Sequence, residues 1–244
     1  MLTIAIGDIH GMNEQLKRLL DKADKETKNE ERQFVFIGDY MDRGPDSKGV
    51  LDTIRDLAKN EKVIPLMGNH DDMLLHDHQT WMGNGGRQTL LSFNPKYDMQ
   101  TPFYEQERNP IQLFFEQFAD YVEWIKALPL THEDQHRFFC HAGIRPGVPL
   151  KEQQAQSLLW IRGPFLIDTQ PFEKYIVHGH TVTPYDDLCP PEIDAGRPST
   201  WKYLEFDNRL NLDSACVFGG PMSAAIFNDE QVKAVKFLTV DNKE

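Results

Sequence analysis

The chain has 244 residues, 40% of them hydrophobic and 26% charged, which is enough for one full-sized core in water and short for two independent domains. Its net charge of -12 opposes extended nucleic acid as a partner, while a phosphoprotein or small phosphate-bearing molecule stays open because bound divalent ions would reverse the local field. Cys140, Cys189 and Cys216 are too few and scattered for a disulfide framework or zinc site, and with no basic leader or membrane-length apolar run the expected location is the cytoplasm, off the membrane.

In chain order, LTIAI (2 to 6) reads as a buried strand halted by Gly7, and MNEQLKRLLDKA places Met12, Leu16, Leu19, Leu20 and Ala23 on one helical stripe. QFVFI (33 to 37) repeats the strand, followed by a Gly-Asp turn and a helix from about Asp46 with Val50, Leu51, Ile54, Leu57 and Ala58 inward; VIPLM (63 to 67) is a third strand. Such alternation predicts an α/β core whose loops gather on the rim at the strands' C-terminal ends. Periodicity weakens from 76 to 110, an expected cap or substrate-side insertion, and a helix follows near Ile111 with Phe114, Phe115, Phe118, Val122 and Ile125. Beyond Pro129 the segments RFFCH, YIVHGH, TWKYLEF, SACVFGG, MSAAIFN and VKAVKFLTV read as strands of a second sheet, too closely spaced for further parallel crossovers.

The strand ends carry the chemistry. Asp8 and His10 follow the first, Asp39 and Asp42 the second, Asn69 and His70 the third, and His141 and His180 follow RFFC and YIV. Any one Asp after Gly is a good turn or cap residue. Together, however, Asp8, His10, Asp39, Asn69, His141 and His180 make six oxygen and nitrogen donors, and one shared carboxylate would let two ions sit close. Two ions about 3.5 to 4 Å apart suit phosphate ester hydrolysis.

GDIHG (7 to 11), GDYMDRG (38 to 44), GNHD (68 to 71), CHAG (140 to 143) and GHT (179 to 181) resemble the signature set of the calcineurin-like metallophosphoesterases, in their phosphoprotein-phosphatase branch. The resemblance implies a single-domain β-sandwich of two mixed sheets flanked by helices, and two divalent ions, Mn2+ first, with Fe or Zn as alternatives. It further implies that Asp8 and His10 hold one ion, Asp39 bridges, and Asn69, His141 and His180 hold the other. His70, oriented by Asp42, would protonate the leaving oxygen, with a metal-bridging hydroxide as nucleophile and Arg43 and Arg162 clamping phosphate. Arg162 lies in SLLWIRGPF, where Trp160 and Phe165 also suit a core edge, and His178 is left a supporting or structural place.

Other segments are read more plainly. HEDQH (132 to 136) matches H-E-x-x-H but sits between LPL and a strand, where its histidines are expected in solvated turn. WMGNGGRQTLLSF (81 to 93) has neither phosphate-loop nor dinucleotide spacing; Trp81, Asn84 and Arg87 are placed beside the pocket, touching substrate or forming a structural cap. In GNHDD, Gly68 is assigned the turn, and Asp71 and Asp72 neither metal nor reaction. DSACVFGG (213 to 220) resembles the family's late strand and glycine turn near the site.

The expected activity is hydrolysis of phosphomonoesters, most simply on phosphoserine and phosphothreonine proteins. GDYMDRG favours that side, while symmetrical diadenosine tetraphosphate hydrolysis is the alternative in the same branch, and a phosphate-binding scaffold without catalysis is a third reading. A pocket with room and stacking groups for adenine would favour the dinucleotide; a shallow open groove would favour a phosphopeptide.

Overall fold

A computed structural model describes residues 1–182 and 202–241, so Cys189 and the first residues of the strand expected over 200–206 lie outside the described residues. β1 (Leu2–Ile6), α1 (Asn13–Glu26), β2 (Arg32–Phe36), α2 (Ser47–Leu57) and β3 (Lys62–Pro65) form the expected alternation. The three strands pair in parallel, with Ile4 opposite Phe34 and Phe34 opposite Val63. Because side chains alternate across a strand, Ile4, Ile6, Phe34 and Phe36 join Leu16, Leu19, Val50 and Ile54 of the covering helices, while Ala5, Val35 and Ile37 face the other way. Asp46 starts α2 by accepting the Gly49 N–H at 2.9 Å.

The strand expected over VIPLM stops at Pro65, and Asn69 and His70 open a helix, α3 (Asn69–His76). The weakly periodic insertion is more regular than its glycines suggest: α4 (His78–Trp81) runs through a π-turn at Met82–Gly86 into α5 (Arg87–Phe93), with Gly85 at φ 111°. Trp81, Leu90 and Phe93 are buried there with Phe114. The single helix expected from Ile111 breaks at Phe118 (φ -124°, ψ 36°) into α6 (Pro110–Gln117) and α7 (Ala119–Lys126).

The second sheet is built from β4 (Thr131–Glu133), β5 (Arg137–Cys140), β6 (Tyr175–His178), β7 (Leu204–Glu205) and β8 (Arg209–Asn211), in the order β4-β5-β6-β8-β7. It does contain parallel pairs, β5 with β6 and β6 with β8, contrary to expectation. The first of these crossovers carries two short helices, α8 (Ala155–Trp160) and α9 (Gly163–Leu166), whose length hides them among loop residues. β9 (Met222–Asn228) and β10 (Lys236–Val240) return antiparallel to the first sheet, ordered β10-β9-β1-β2-β3. SACVFGG is a turn with a 3-10 segment at Cys216–Phe218, since Ala215 and Gly219 have φ 61° and 101°.

HEDQH spans the end of β4 and a turn, so its histidines never share a helix face. His132 is half-buried and stacks on Phe139 at 5.7 Å, a departure from the solvated position expected. Among the described residues no helix is long and apolar enough to cross a membrane.

Phe139 and Phe227 meet edge to face between the sheets, ring centroids 6.2 Å apart and both fully buried. Phe227→Ala is expected to cost about 3–5 kcal/mol of unfolding free energy, read as a lower urea midpoint. A cost below about 1 kcal/mol would show that this layer does not hold the sandwich together.

Candidate metal centre and active site

The ends of β1, β2, β5 and β6 and the start of α3 converge on one rim. Asp8, His10, Asp39, Asn69, His141 and His180 meet there, none more than 7% exposed. The turns that deliver them are strained: His10, Asp39, Asp42, Arg43 and His180 have φ of 45°, 54°, 72°, 67° and 66°. Left-handed backbone at non-glycine residues costs about 1–3 kcal/mol each and persists only where surroundings impose it. Here Ile9 and His10 N–H groups both donate to the Asp39 carbonyl, at 3.1 and 2.8 Å.

Two glycines permit close approach. A Cβ on Gly179 would lie 2.0 Å from Asp8 Oδ1, and one on Gly68 would lie 2.2 Å from both Asp39 N and Oδ1. Gly68 has φ -99°, so it is required by contact, not by the turn expected of it.

Asp39 is the common member of two donor groups, His10 with Asp39 and His70, and Asp8 with Asp39 and His141, each within 4.8 Å. Its Oδ2 is 3.3 Å from His10 Nε2 and its Oδ1 3.4 Å from His141 Nε2. Beside them, His141 Nε2 and His180 Nδ1 approach Asn69 Oδ1 at 2.9 and 2.8 Å. Backbone carbonyls orient two rings: Met41 O accepts from His10 Nδ1 at 2.8 Å and Ile37 O from His141 Nδ1 at 3.0 Å, leaving each Nε2 lone pair facing the cluster.

His70 and Asp42 form a separate pair. His70 Nδ1 donates to Asp42 Oδ2 at 2.7 Å, so Nε2 is the ring atom that Asp42 leaves open. The other oxygen, Oδ1, accepts from Trp81 Nε1 at 2.9 Å and Thr89 Oγ1 at 2.6 Å. Trp81 is thus buried support and not a substrate contact. Asn84 donates to Thr80 O and Arg87 to Met99 O, ties within the insertion. Both supports of Asp42 lie in the glycine-rich segment WMGNGGRQTLLSF, whose residue spacing carries no signal of the pairing.

The remaining predicted residues take different places. Arg43 is half-buried, donates from Nη1 to His10 Nε2 at 2.8 Å, and lies 5.4 Å from the exposed Phe218 ring. Arg162 is exposed, but its charge helps lower the pKa of His141 and His180. His178 packs against Phe165 and donates toward the Gly179 carbonyl, away from the donor cluster. Asp71, left without a chemical role, is fully buried and accepts from Gly68, Asp39 and Tyr40 N–H groups at 2.9, 2.9 and 3.3 Å. It ties two site loops together, while Asp72 merely pairs with His76. Asp213 is a third buried carboxylate close to Asp8 and Asp39, in the DSACVFGG segment but not singled out there.

The electrostatics favour bound cations. Burial pushes Asp8 well above the usual carboxylate range, reinforced by Asp213 and Asp39, and burial pushes Asp213 up to about 6. Burial acts upward on Asp39 too, but His141, His70 and His10 together hold it well below the ordinary value. Burial lowers His10 to about 3 and lowers His141 and His180, which keeps their lone pairs free. His180 Nε2 is buried without a hydrogen-bond partner among the described residues. Neutral imidazoles, an amide oxygen and crowded carboxylates around a shared Asp39 are the donors two divalent ions require, so the residues fit.

Residues 1–230 match the calcineurin-like phosphoesterases. The chain belongs to that family. It is accordingly a metallophosphoesterase, a phosphoric ester hydrolase, and the family uses a dinuclear metal centre. The asymmetrical bis(5'-nucleosyl)-tetraphosphatase PrpE of Oceanobacillus iheyensis is 26% identical over 250 residues, 94% of this chain and 90% of that protein. A symmetrical bis(5'-nucleosyl)-tetraphosphatase of Cellvibrio japonicus is 30% identical over 77% of this chain and 61% of its own length. The cold-active protein-tyrosine phosphatase of a psychrophilic Shewanella shares the fold, with TM-score 0.61 at 17% identity over 98% of this chain and 80% of that one.

Thr89→Val removes one donor to Asp42 Oδ1 and leaves the helix intact. It is expected to lower kcat on an alkyl phosphate about 10-fold with a smaller change in KM. An unchanged kcat would show that His70 is held adequately without it.

Proposed function

We propose that the protein hydrolyses dinucleoside tetraphosphates at a dinuclear metal centre, with His70 as general acid. The observation that carries the chemistry is the His70–Asp42 pair beside donor groups that share Asp39. The substrate class is supported by the relatives named for bis(5'-nucleosyl) tetraphosphate hydrolysis, one of them aligned over nearly the whole chain.

In this reading Asp8 and His10 would hold one ion, Asp39 would be shared, and Asn69, His141 and His180 would hold the second, with Mn2+ preferred and Fe or Zn alternatives for such mixed donors. Two ions so held would supply Lewis acidity, neutralising phosphoryl oxygens and lowering the pKa of a water so that it could serve as nucleophile near neutral pH. Arg43 Nη1 lies 2.8 Å from His10 Nε2, a contact that an ion on His10 would replace, which would free the guanidinium to present its N–H donors to the phosphoryl oxygens, with Arg162 closing from the exposed side. His70 Nε2 donates its proton to the leaving oxygen, while Asp42 holds the ring and stabilises its charged form. Trp81 and Thr89 keep Asp42 from turning away.

The protein-phosphatase activity expected from sequence remains the second reading, favoured by GDYMDRG with its intact Asp42–Arg43 pair. The two are separated by kcat/KM of the Mn-loaded protein on diadenosine tetraphosphate, a phosphoserine peptide and a phosphotyrosine peptide. The dinucleotide is expected to lead by about 100-fold or more. A comparable lead for either peptide would transfer the assignment to the protein-phosphatase side. The dinucleotide's products identify the bond cut: ATP with AMP for asymmetrical cleavage, ADP alone for symmetrical.

His70→Ala is expected to reduce turnover of an alkyl phosphate by about 10²- to 10⁴-fold and that of p-nitrophenyl phosphate much less, because nitrophenolate leaves without a proton. Equal losses on both substrates would remove His70 from the acid role.

A further inference from the structure

Polyphosphate chemistry at the metal centre accounts for only the middle of a dinucleotide. A cavity of about 470 Å³ opens at the α8–α9 corner, between Arg145, Gln156, Ser157, Trp160, Ile161 and Pro164. Its volume lies in the range of small-molecule sites. The Trp160 ring stands edge-on to His180, centroids 6.1 Å apart, and Arg162 is two residues further along. The cavity therefore borders the Asn69, His141 and His180 half of the centre. A larger cavity around Thr131, Glu133, Phe138 and Lys174 lies along the β4–β5 edge of the second sheet, and another, around Tyr175 and Asn208, sits at the starts of β6 and β8, the ends of those strands opposite the rim.

We infer that the Trp160 cavity receives a purine base of a nucleotide whose phosphates lie over the centre; this deepens the dinucleotide reading and rests on it. Trp160 supplies a half-buried indole, and Ile161 and Pro164 extend the apolar wall. Gln156 and Ser157 place amide and hydroxyl groups where a base edge needs partners. Arg145 is held through its backbone by Gln153, with N–H to Oε1 at 2.7 Å and Nε2 to O at 3.0 Å. Its guanidinium is exposed and makes no hydrogen bond or ion pair with a described residue, and in a chain of net charge -12 a cation at this mouth matches an anionic, aromatic ligand. A phosphopeptide would use neither the depth nor the flat ring. Stacking on an aromatic side chain tolerates every base, but the two fused rings of a purine cover more of the indole than a pyrimidine does, so this subsite favours purine nucleotides without naming one.

The test measures ADP and pyrophosphate binding to the Mn-loaded full chain by calorimetry. Wild type is expected to hold ADP about 10-fold more tightly than pyrophosphate, Trp160→Ala to erase that difference, and Trp160→Phe to keep most of it. In turnover, Trp160→Ala should lose about 10-fold more kcat/KM on diadenosine tetraphosphate than on p-nitrophenyl phosphate. Should the alanine variant fold poorly, an azidoadenine analogue of ADP crosslinked to wild type is expected to label the segment 145–164; labelling elsewhere overturns the subsite. An unchanged ADP preference in folded Trp160→Ala overturns it as well, even where the dinucleotide is the preferred substrate. Conversely, a Trp160-dependent ADP preference in an enzyme that favours phosphopeptides would keep the subsite and refute the substrate assignment.

Discussion

The buried carboxylate of Asp39 is the constraint around which this molecule is arranged. A carboxylate with 2% exposure would take up a proton unless positive charge or N–H donors surrounded it. The backbone N–H of His70 donates to Oδ1 at 3.0 Å, and the His10 and His141 rings stand 3.3 and 3.4 Å from Oδ2 and Oδ1. Meeting that requirement draws together the ends of β1, β2 and β5 and the start of α3, and imposes a left-handed backbone on Asp39 itself.

The sandwich meets this requirement because its two sheets contribute different halves of the site. Asp8, Asp39, Asn69 and His70 follow strands of the first sheet, whereas His141 and His180 follow β5 and β6 of the second. Their separation depends on the apolar layer between the sheets, where Ala5, Val35 and Ile37 meet Phe139, Val177 and Leu210. Close packing makes that layer stiff, and a shift of even part of an ångström would move one set of donors against the other. Gly179 marks the joint, pressed so near Asp8 that no side chain fits.

The insertion is tied to the same arrangement through Asp42. Trp81 and Thr89 are 39 and 47 residues away in sequence, yet both donate to one carboxylate oxygen. With Ser47 and Thr89 hydroxyls also accepting from the Asp42 N–H at 3.1 and 3.0 Å, Asp42 keeps its strained φ and its other oxygen stays on His70. A segment expected to cap the pocket is at its root a brace for the His70–Asp42 pair.

What the sequence determined was local: alternating apolar strands, helical stripes and the identity of the polar groups that end each strand. These were legible because a strand's period and a turn's donor types are written in adjacent residues, which is why Asp8, His10, Asp39, Asn69, His70, His141 and His180 could be placed at the strand ends before their meeting on one rim was seen. Only the tertiary structure decided that Asp39 belongs to both donor groups, that Asp71 ties the loops after β2 and β3, that Asp213 faces Asp8, and that Trp160 borders a cavity beside His180. The same holds for the parallel pairing of β5 with β6 and for Gly68, whose purpose is contact with Asp39. Each depends on groups remote in the chain, and distance across a folded core leaves no periodic trace in the sequence around either partner.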